Sequence, residues 1–480
     1  MNSPKPSSRS LPGPRGHWLW GCLPDLRRDM LGFFTSCKNE FGDAAYFRVG
    51  RRRSMLLSHP DDIERVLVTE NKRFQKNFAL QFFMRPLLGR GLLLNEGESW
   101  LRQRRLIQPA FSRSQIAGYT TSMSDLADRM LSSWQDGQPV DIHRAMMQLT
   151  MAIAGKTLLD VEVGERFDEI STCLDDITRD FRRRFAFPIP IPHWVPTPGN
   201  YRLWRAIGKL DAAIFRMIDE RRAGAARGED FLSLLIDARD EENGQGMSDR
   251  QLRDEVVTMF LAGHETTANA LSWTFQLLAE NPVWQSKIAD EVTQVVGKNT
   301  PTMLDLPKLQ LCERVVREGM RLYPPAYIVG RRSEVDCQIG EHFIPRRTNV
   351  LMSQWVVHRD ERWYDDPLRF HPDRWTPGMI AELPKYAYFP FGGGPRGCIG
   401  REFAMVEATL LLATVLRKFE LSLIDRTPVP MNTAVTLRPA RAMEMQLTLR
   451  SSKRWQTYGT KSPVVPAASV TGTSLRPTPK

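Results

Sequence analysis

The 480-residue chain lacks a cysteine framework. Its six cysteines, Cys22, Cys37, Cys173, Cys312, Cys337 and Cys398, are scattered and include no C-x-x-C. That excludes a disulfide-stapled scaffold and argues against a zinc ribbon. It fits reduced thiols in a cytoplasm, and a cytoplasmic location is the expectation. Long apolar runs are also missing. The most apolar N-terminal stretch, His17–Leu23, falls far short of the ~20 residues a bilayer span needs, so no transmembrane anchor is expected. No signal-peptide core precedes it. No short repeat runs through the chain, which excludes fibrous and collagen-like classes.

Acid is scarce at the two ends. Residues 451–480 carry five basic residues and no acid, and residues 1–30 carry a net +3. Only +3 of the overall +11 is left for residues 31–450. The basic excess therefore belongs to the tails, which read as solvated rather than as a nucleic-acid surface, and no nucleic-acid partner is expected.

What is present is a globular composition, 42% hydrophobic and 25% charged. Pro4, Pro6, Pro12 and Pro14 make residues 1–39 read as an extended lead-in. Alternation at 45–49 and 54–58 reads as two strands, followed by a helix from His59-Pro60. Glu98–Gln108 reads as a basic helix. Five prolines in Phe185–Gly199 require a loop. A long, mostly apolar helix is expected over Leu252–Glu280, ended by Asn281-Pro282. Further helices are expected over Leu309–Leu322 and Arg401–Lys418, the last closing the core. Short strands fill 326–356. The chain thus reads as one large, mainly α domain with a minor β part over 40–450, plus a basic tail over 451–480.

The strongest chemical signal is Phe391-Gly392-Gly393-Gly394-Pro395-Arg396-Gly397-Cys398-Ile399-Gly400. Glycines let backbone approach a flat partner closely. Cys398 falls just before a helix, where N–H groups and the helix dipole favour a thiolate. Such a sulfur suits an axial ligand of heme iron. A Gly-rich turn around a structural cysteine is the competing reading.

F-x-x-G-x-R-x-C-x-G, filled by Phe391, Gly394, Arg396, Cys398 and Gly400, resembles the heme-thiolate loop of the cytochrome P450 family. Glu318-Gly319-Met320-Arg321 resembles its E-x-x-R. Phe370–Trp375, with Arg374, resembles its P-x-R-F/W segment. Ala262-Gly263-His264-Glu265-Thr266-Thr267 resembles its A-G-x-E-T-T, and Trp100–Arg104 its W-x-x-x-R. The resemblance spans about 40–450.

That resemblance implies a soluble monooxygenase of the bacterial type. It would insert one oxygen atom from O2 into a lipophilic compound such as a fatty acid or terpenoid. Cys398 would ligate heme b (iron protoporphyrin IX), and Glu265 and Thr266 would manage protons. Trp100, Arg104, Arg331, Phe391, Arg396 and Gly400 would hold the cofactor. Glu318, Arg321 and Arg374 would form a scaffold behind the loop. Substrate contacts would come from Phe78, Phe82, Phe83, Ala262, Tyr327 and Ile328, with Met84 and Phe187–Pro192 in the same segments. His264 reads as packing, and His358 as a weak candidate for a propionate.

With no flavin or iron–sulfur segment, electrons from NAD(P)H must come through a separate ferredoxin or flavodoxin with its reductase. Arg102 and Arg105 could attract such an acidic partner. Two alternatives stay open: a peroxide-driven peroxygenase or isomerase, and a non-catalytic heme or lipid carrier.

Overall fold

A computed structural model describes residues 12–162, 164–186, 192–224, 228–433 and 435–450. The tail over 451–480 lies outside the described residues. The long apolar run forms the helix Asp249–Glu280. A capping box starts it: Ser248 Oγ accepts from Gln251 N, and Gln251 Oε1 accepts from Ser248 N. At ~1.5 Å per residue it runs ~48 Å. From Leu252 to Leu278 most of its residues are buried, because helices pack on it from several sides. Ile142–Leu159, Gln310–Leu322 and Arg401–Lys418 are the chief neighbours. Gly319 allows the closest crossing, since a Cβ there would lie 2.2 Å from Thr274 Oγ1.

The main sheet has five strands in the order Ala44–Val49, Arg52–Leu57, Asn349–Met352, Val329–Ser333 and Phe74–Lys76. Ser54–Leu57 and Asn349–Met352 pair in parallel, and the other pairs are antiparallel. The register sets Lys76 opposite Arg331. Two cations thereby lie side by side at the sheet edge that meets the helical core.

Two expectations need correction. The boundary at residue 40 falls inside the helix Met30–Phe41, and the folded body takes in residues from 12 onward. Pro12 O accepts from Tyr46 N, and Phe33 packs edge-on to Phe47 at 5.2 Å. Pro24 sits in the first turn of the helix Leu23–Arg28, where proline costs no hydrogen bond, and Asp29 caps the next helix through Gly32 N. Nor does Arg401–Lys418 close the core: Phe419–Leu423 and Glu444–Leu449 pair behind it and bury Leu421, Met445 and Leu447.

Candidate active site

The loop before Arg401–Lys418 is held from three sides. Cys398 N donates to Phe391 O at 2.9 Å, and Gly397 N to Gly394 O at 3.0 Å. Gly394 has φ +65°, and a Cβ there would lie 1.8 Å from Leu67 O, so only glycine fits. Arg104 donates to Gly397 O at 3.0 Å, and Arg396 to Asn95 O at 2.7 Å. The Arg396 guanidinium also stacks 3.7 Å from the Trp100 ring centroid. Gly400 serves as the helix N-cap and Phe391 packs on the core beside it.

Cys398 lies deep in the protein, yet its side chain is accessible rather than packed, whereas the other five cysteines are buried. Burial pushes its thiol above the usual range, against the Gly400 N–H and the charges of Arg104 and Arg401. The helix-end donors expected from the sequence are therefore present but outweighed. A bound cation would reverse the balance, since a coordinating thiol is deprotonated outright.

A cluster of cations, Lys76 buried and Arg331 and Arg396 half-buried, stands near this loop. Lys76, Arg331 and Arg396 each feel the others or their shared acid Glu96. Glu96 accepts from Lys76 N at 2.9 Å and pairs with Arg396. Desolvation and the neighbouring guanidinium charges of Arg396 and Arg331 lower Lys76 to about 7, and burial lowers Arg331 and takes Arg396 to about 10.

Behind the loop, Glu318 and Arg321 form a fully buried bidentate pair, with both N···O distances 2.8 Å. Glu318 also accepts from Arg374 Nε, Trp375 Nε1 and His371 N. Arg321 spends its remaining donors on the carbonyls of His358, Pro367 and Arg369. Burial alone would raise Glu318, but Arg321, then Arg374 and His371 N–H, hold it below the usual carboxylate range. Every partner a buried ion pair needs is present.

Midway along the long helix, Ala262 is exposed and a Cβ on Gly263 would meet nothing within 4 Å. Open space therefore flanks this turn of an otherwise buried helix. Thr266 is partly exposed, and its hydroxyl donates to Ala262 O at 2.7 Å. Glu265 is buried and accepts from Thr436 Oγ1 at 2.6 Å, while Asn269 Nδ2 donates to Thr436 Oγ1 at 3.1 Å. Two residues on from Glu265, Thr267 bonds Glu407 of the helix Arg401–Lys418. Burial pushes Glu407 up to about 8, and its Oε2 has no partner among the described residues.

A family-wide sequence profile described as "Cytochrome P450" matches residues 11–445. The chain belongs to the cytochrome P450 family. It is 34% identical over 436 residues to the cyclooctat-9-en-7-ol 5-monooxygenase of Streptomyces melanosporofaciens, covering 88% of this chain and 93% of that protein. It is 31% identical to the pentalenene oxygenase of Streptomyces avermitilis, covering 87% and 93%. The crystal structure of the cytochrome P450DA heme domain superposes with a TM-score of 0.84 at 27% identity, covering 92% of this chain and 97% of that one. This P450 is a heme- and O2-dependent monooxygenase of the class that draws electrons from a redox partner and acts on lipophilic compounds.

The residues present fit a heme. Two propionates need cations in a buried setting, and of Lys76, Arg331 and Arg396 only Arg396 pairs its charged group with an acid, Glu96, among the described residues, while the Lys76 ammonium donates to Leu93 O. Lys76 and Glu96 escaped the sequence reading, because a lone Lys on a short strand carries no pattern; register with Arg331 reveals it. Thr436, Asn269 and Glu407 also escaped it, and only tertiary pairing joins them to Glu265 and Thr267.

Tyr327, His264 and His358 are engaged within the fold. Tyr327 is buried among N-terminal core residues, with its hydroxyl on Thr433 O and near Met30 Sδ, so its ring is enclosed rather than free to meet substrate. Ile328 is partly buried against the same cluster. Phe82 and Phe83 stack edge to face at 5.3 Å, and Phe82 also meets His193. Phe78 begins the helix Phe78–Leu88, but its side chain lies outside the described residues, as do 187–191. His264 packs, bonding Phe260 O. His358 is fully buried and accepts from Phe389 N at 3.0 Å, which engages it inside the scaffold instead of with a propionate.

Arg102 and Arg105 are not free steering charges. Arg102 pairs with buried Asp240 at 3.3 Å and donates to Gln245 O and Gly246 O, and Arg105 pairs with Glu242 at 2.5 Å. The loop over 239–246 answers both. Among the described residues no helix is long and apolar enough to cross a membrane.

Proposed function

We propose that this P450 hydroxylates a terpenoid-like hydrocarbon skeleton, using heme b held by Cys398. Electrons would come from NAD(P)H through a ferredoxin or flavodoxin and its reductase, in the cytoplasm. The substrate class rests on the two streptomycete relatives, both named as oxygenases. The cofactor reading rests on one observation: an accessible cysteine deep in the protein, two residues from Arg396, whose cluster with Lys76 and Arg331 outnumbers its nearby acids Glu96 and Glu255.

When bound, the heme supplies O2 activation and one-electron chemistry. The chain's own residues do the rest. Cys398 would ligate the metal through its sulfur. Arg331, Arg396 and Lys76 would neutralise the propionates, with Trp100 stacked on Arg396. Arg104 ties the Cys398 loop to its neighbouring helix. Glu318, Arg321 and Arg374 keep that loop rigid. Thr266, at the open turn of the long helix, presents a hydroxyl that can hold a proton donor or water, and Glu265 beside it carries the proton. Ala262 and Gly263 leave space for substrate, with Phe82, Phe83 and Ile328 supplying apolar contacts.

The test is the absorption spectrum of the reduced, carbon-monoxide-treated protein, which should show the band of thiolate ligation and lose it in Cys398→Ser. A panel of cyclic diterpene and sesquiterpene alcohols should then be screened for spin-state shifts. Failure of both the band and the shifts ends this reading.

A further inference from the structure

Arg253, Asp254 and Glu255 are three consecutive charged residues of the long helix, and all three are buried. Charge persists in such a place only where partners meet it. The segment that follows the helix Phe78–Leu88 supplies them from its backbone. Arg253 donates to Leu87 O and pairs with Asp211 of the helix Pro198–Arg222. Asp254 accepts from Arg90 N and Glu255 Oε2 from Leu92 N, both at 2.8 Å. The segment lies close against the helix, since a Cβ on Gly91 would fall 2.1 Å from Thr258 Oγ1. One oxygen is left over. Glu255 is fully buried, yet its Oε1 has no hydrogen-bond partner among the described residues.

The next carbonyl of the segment engages a cation. Leu93 O accepts from the Lys76 ammonium, which keeps two further donors. Adjacent residues thus hold a buried acid and a buried ammonium. Each charge acts on the other, and no hydrogen bond or ion pair joins the two among the described residues. Burial pushes Glu255 up to about 8, against the Leu92 N–H, with Asp254 adding to the rise and Lys76 opposing it. Lys76 is lowered to about 7 by burial, then by Arg396 and Arg331, while Glu96 and Glu255 act to raise it. An acid and a base so closely matched exchange protons as one pair near neutrality.

We infer that Glu255 is a positioning residue for the heme: through Lys76 it sets how much positive charge the propionate end of the cofactor meets, and with it the reduction potential of the iron. The inference rests on the reading that Lys76 faces a propionate. With Glu255 neutral, the ammonium charge is unopposed from the side of the long helix. Once ionised, the Glu255 carboxylate offsets that charge across Leu92 and Leu93 and competes for the donors a propionate would use. Less positive charge near the iron favours its ferric form, which is the more positive of the two. Reduction and proton uptake are thereby linked. One electron enters the iron from the redox partner, and one proton enters Glu255 from solvent, so the buried site gains no net charge. The potential falls as pH rises through the range in which Glu255 ionises.

Spectroelectrochemical titration of the holoprotein from about pH 6 to about pH 9 tests this. Glu255→Gln keeps an acceptor for Leu92 N and cannot ionise. It should match wild type at the acid end and hold the higher potential at the alkaline end, by roughly tenfold in the reduction equilibrium. Glu407, also near 8, stays in both proteins and cancels from the difference. In Lys76→Met, Glu255 loses the charge that helps it ionise and stays neutral over this range. Lys76→Met and Lys76→Met/Glu255→Gln should therefore titrate together. Redox-difference infrared spectra of the wild type near pH ~8 need no variant, and reduction should raise a protonated-carboxyl band. Three results overturn the inference: potentials of Glu255→Gln and wild type that coincide at every pH, a difference that survives undiminished in the Lys76→Met background, or no change in the carboxyl band on reduction. A merely structural Glu255 would lower the unfolding temperature of Glu255→Gln and leave the pH profile of the potential unmoved. The carbon-monoxide band separates the two failures. Its absence in wild type ends the heme reading, whereas its presence beside coincident potentials ends only the role of Glu255.

Discussion

Thr436 donates a 2.6 Å hydrogen bond to Glu265, across 171 residues of sequence. Asn269, one turn further along the helix of Glu265, donates to the same hydroxyl. The direction is fixed at each step: the amide N–H gives to Oγ1, and the hydroxyl proton points at the carboxylate. Thr436 belongs to a stretch anchored by Leu437 N to Pro325 O and by Trp273 Nε1 to Leu437 O. The acid of the A-G-x-E-T-T segment is thereby held by the C-terminal chain rather than by its own helix.

Thr436→Val removes the donor while keeping the shape. Buried Glu265 and Asn269 then lose their common partner, which should cost about 1–3 kcal/mol of stability. Thr436→Ser restores the hydroxyl and should recover most of it. Thermal unfolding of the holoprotein reads this. Oxygen consumed per product formed reads the consequence for proton handling, and it should rise in Thr436→Val and return toward wild type in Thr436→Ser.

Glu318→Gln is expected to be far more damaging. It leaves Arg321 and Arg374 buried without their shared carboxylate, at a cost of about 3–5 kcal/mol. Little protein should purify with heme. The same carboxylate gives an acid-side signature. Its folded pKa is depressed, so its stabilisation is full above the unfolded value near ~4.3 and lost as pH falls through the folded value.

Glu407 has the opposite sign. Burial raises it to about 8, above the ~4.3 of an unfolded chain. Its favourable contribution is complete below the unfolded value and disappears as pH climbs through 8. Glu407→Gln keeps an acceptor for Thr267 and cannot ionise. Relative to wild type, it should gain stability on the order of a few kcal/mol between pH 5 and 9, with little difference at pH 5. Glu255, also near 8, stays in both proteins and cancels from the difference. Denaturant midpoints across pH measure it.

The legible parts of this molecule are those where one stretch of chain fixes geometry. The glycines before Cys398 announce a backbone that needs φ > 0 and close contact, and Gly394 shows both. Glu318 and Arg321 share a helix face, so spacing alone pairs them. The long helix was legible from its apolar run and from Asn281-Pro282. What stayed hidden depends on chain brought together from afar. Lys76 counts only through its register with Arg331, and Thr436 only through tertiary docking. The helices Leu23–Arg28 and Met30–Phe41 were masked by prolines and glycines, one of which, Pro24, favours a first turn. Arg102 and Arg105 looked free because Asp240 and Glu242 lie far along the chain.

Arg102→Glu follows from that last pairing. Asp240 is buried and already ion-paired with Arg102 at 3.3 Å, so the substitution sets two carboxylates together in a largely desolvated place. Stability should fall by about 3 kcal/mol, and the anchoring of the loop over 239–246 through Gln245 O and Gly246 O should go with it. A lost steering charge would slow reduction only at low salt, because screening removes its effect. Here the damage is structural, so any slowing of reduction should persist at high salt. Arg105→Gln, at the more exposed pair with Glu242, should leave stability nearly unchanged. Stopped-flow reduction at two ionic strengths, beside thermal unfolding of both variants, distinguishes a structural role for Arg102 from a docking one.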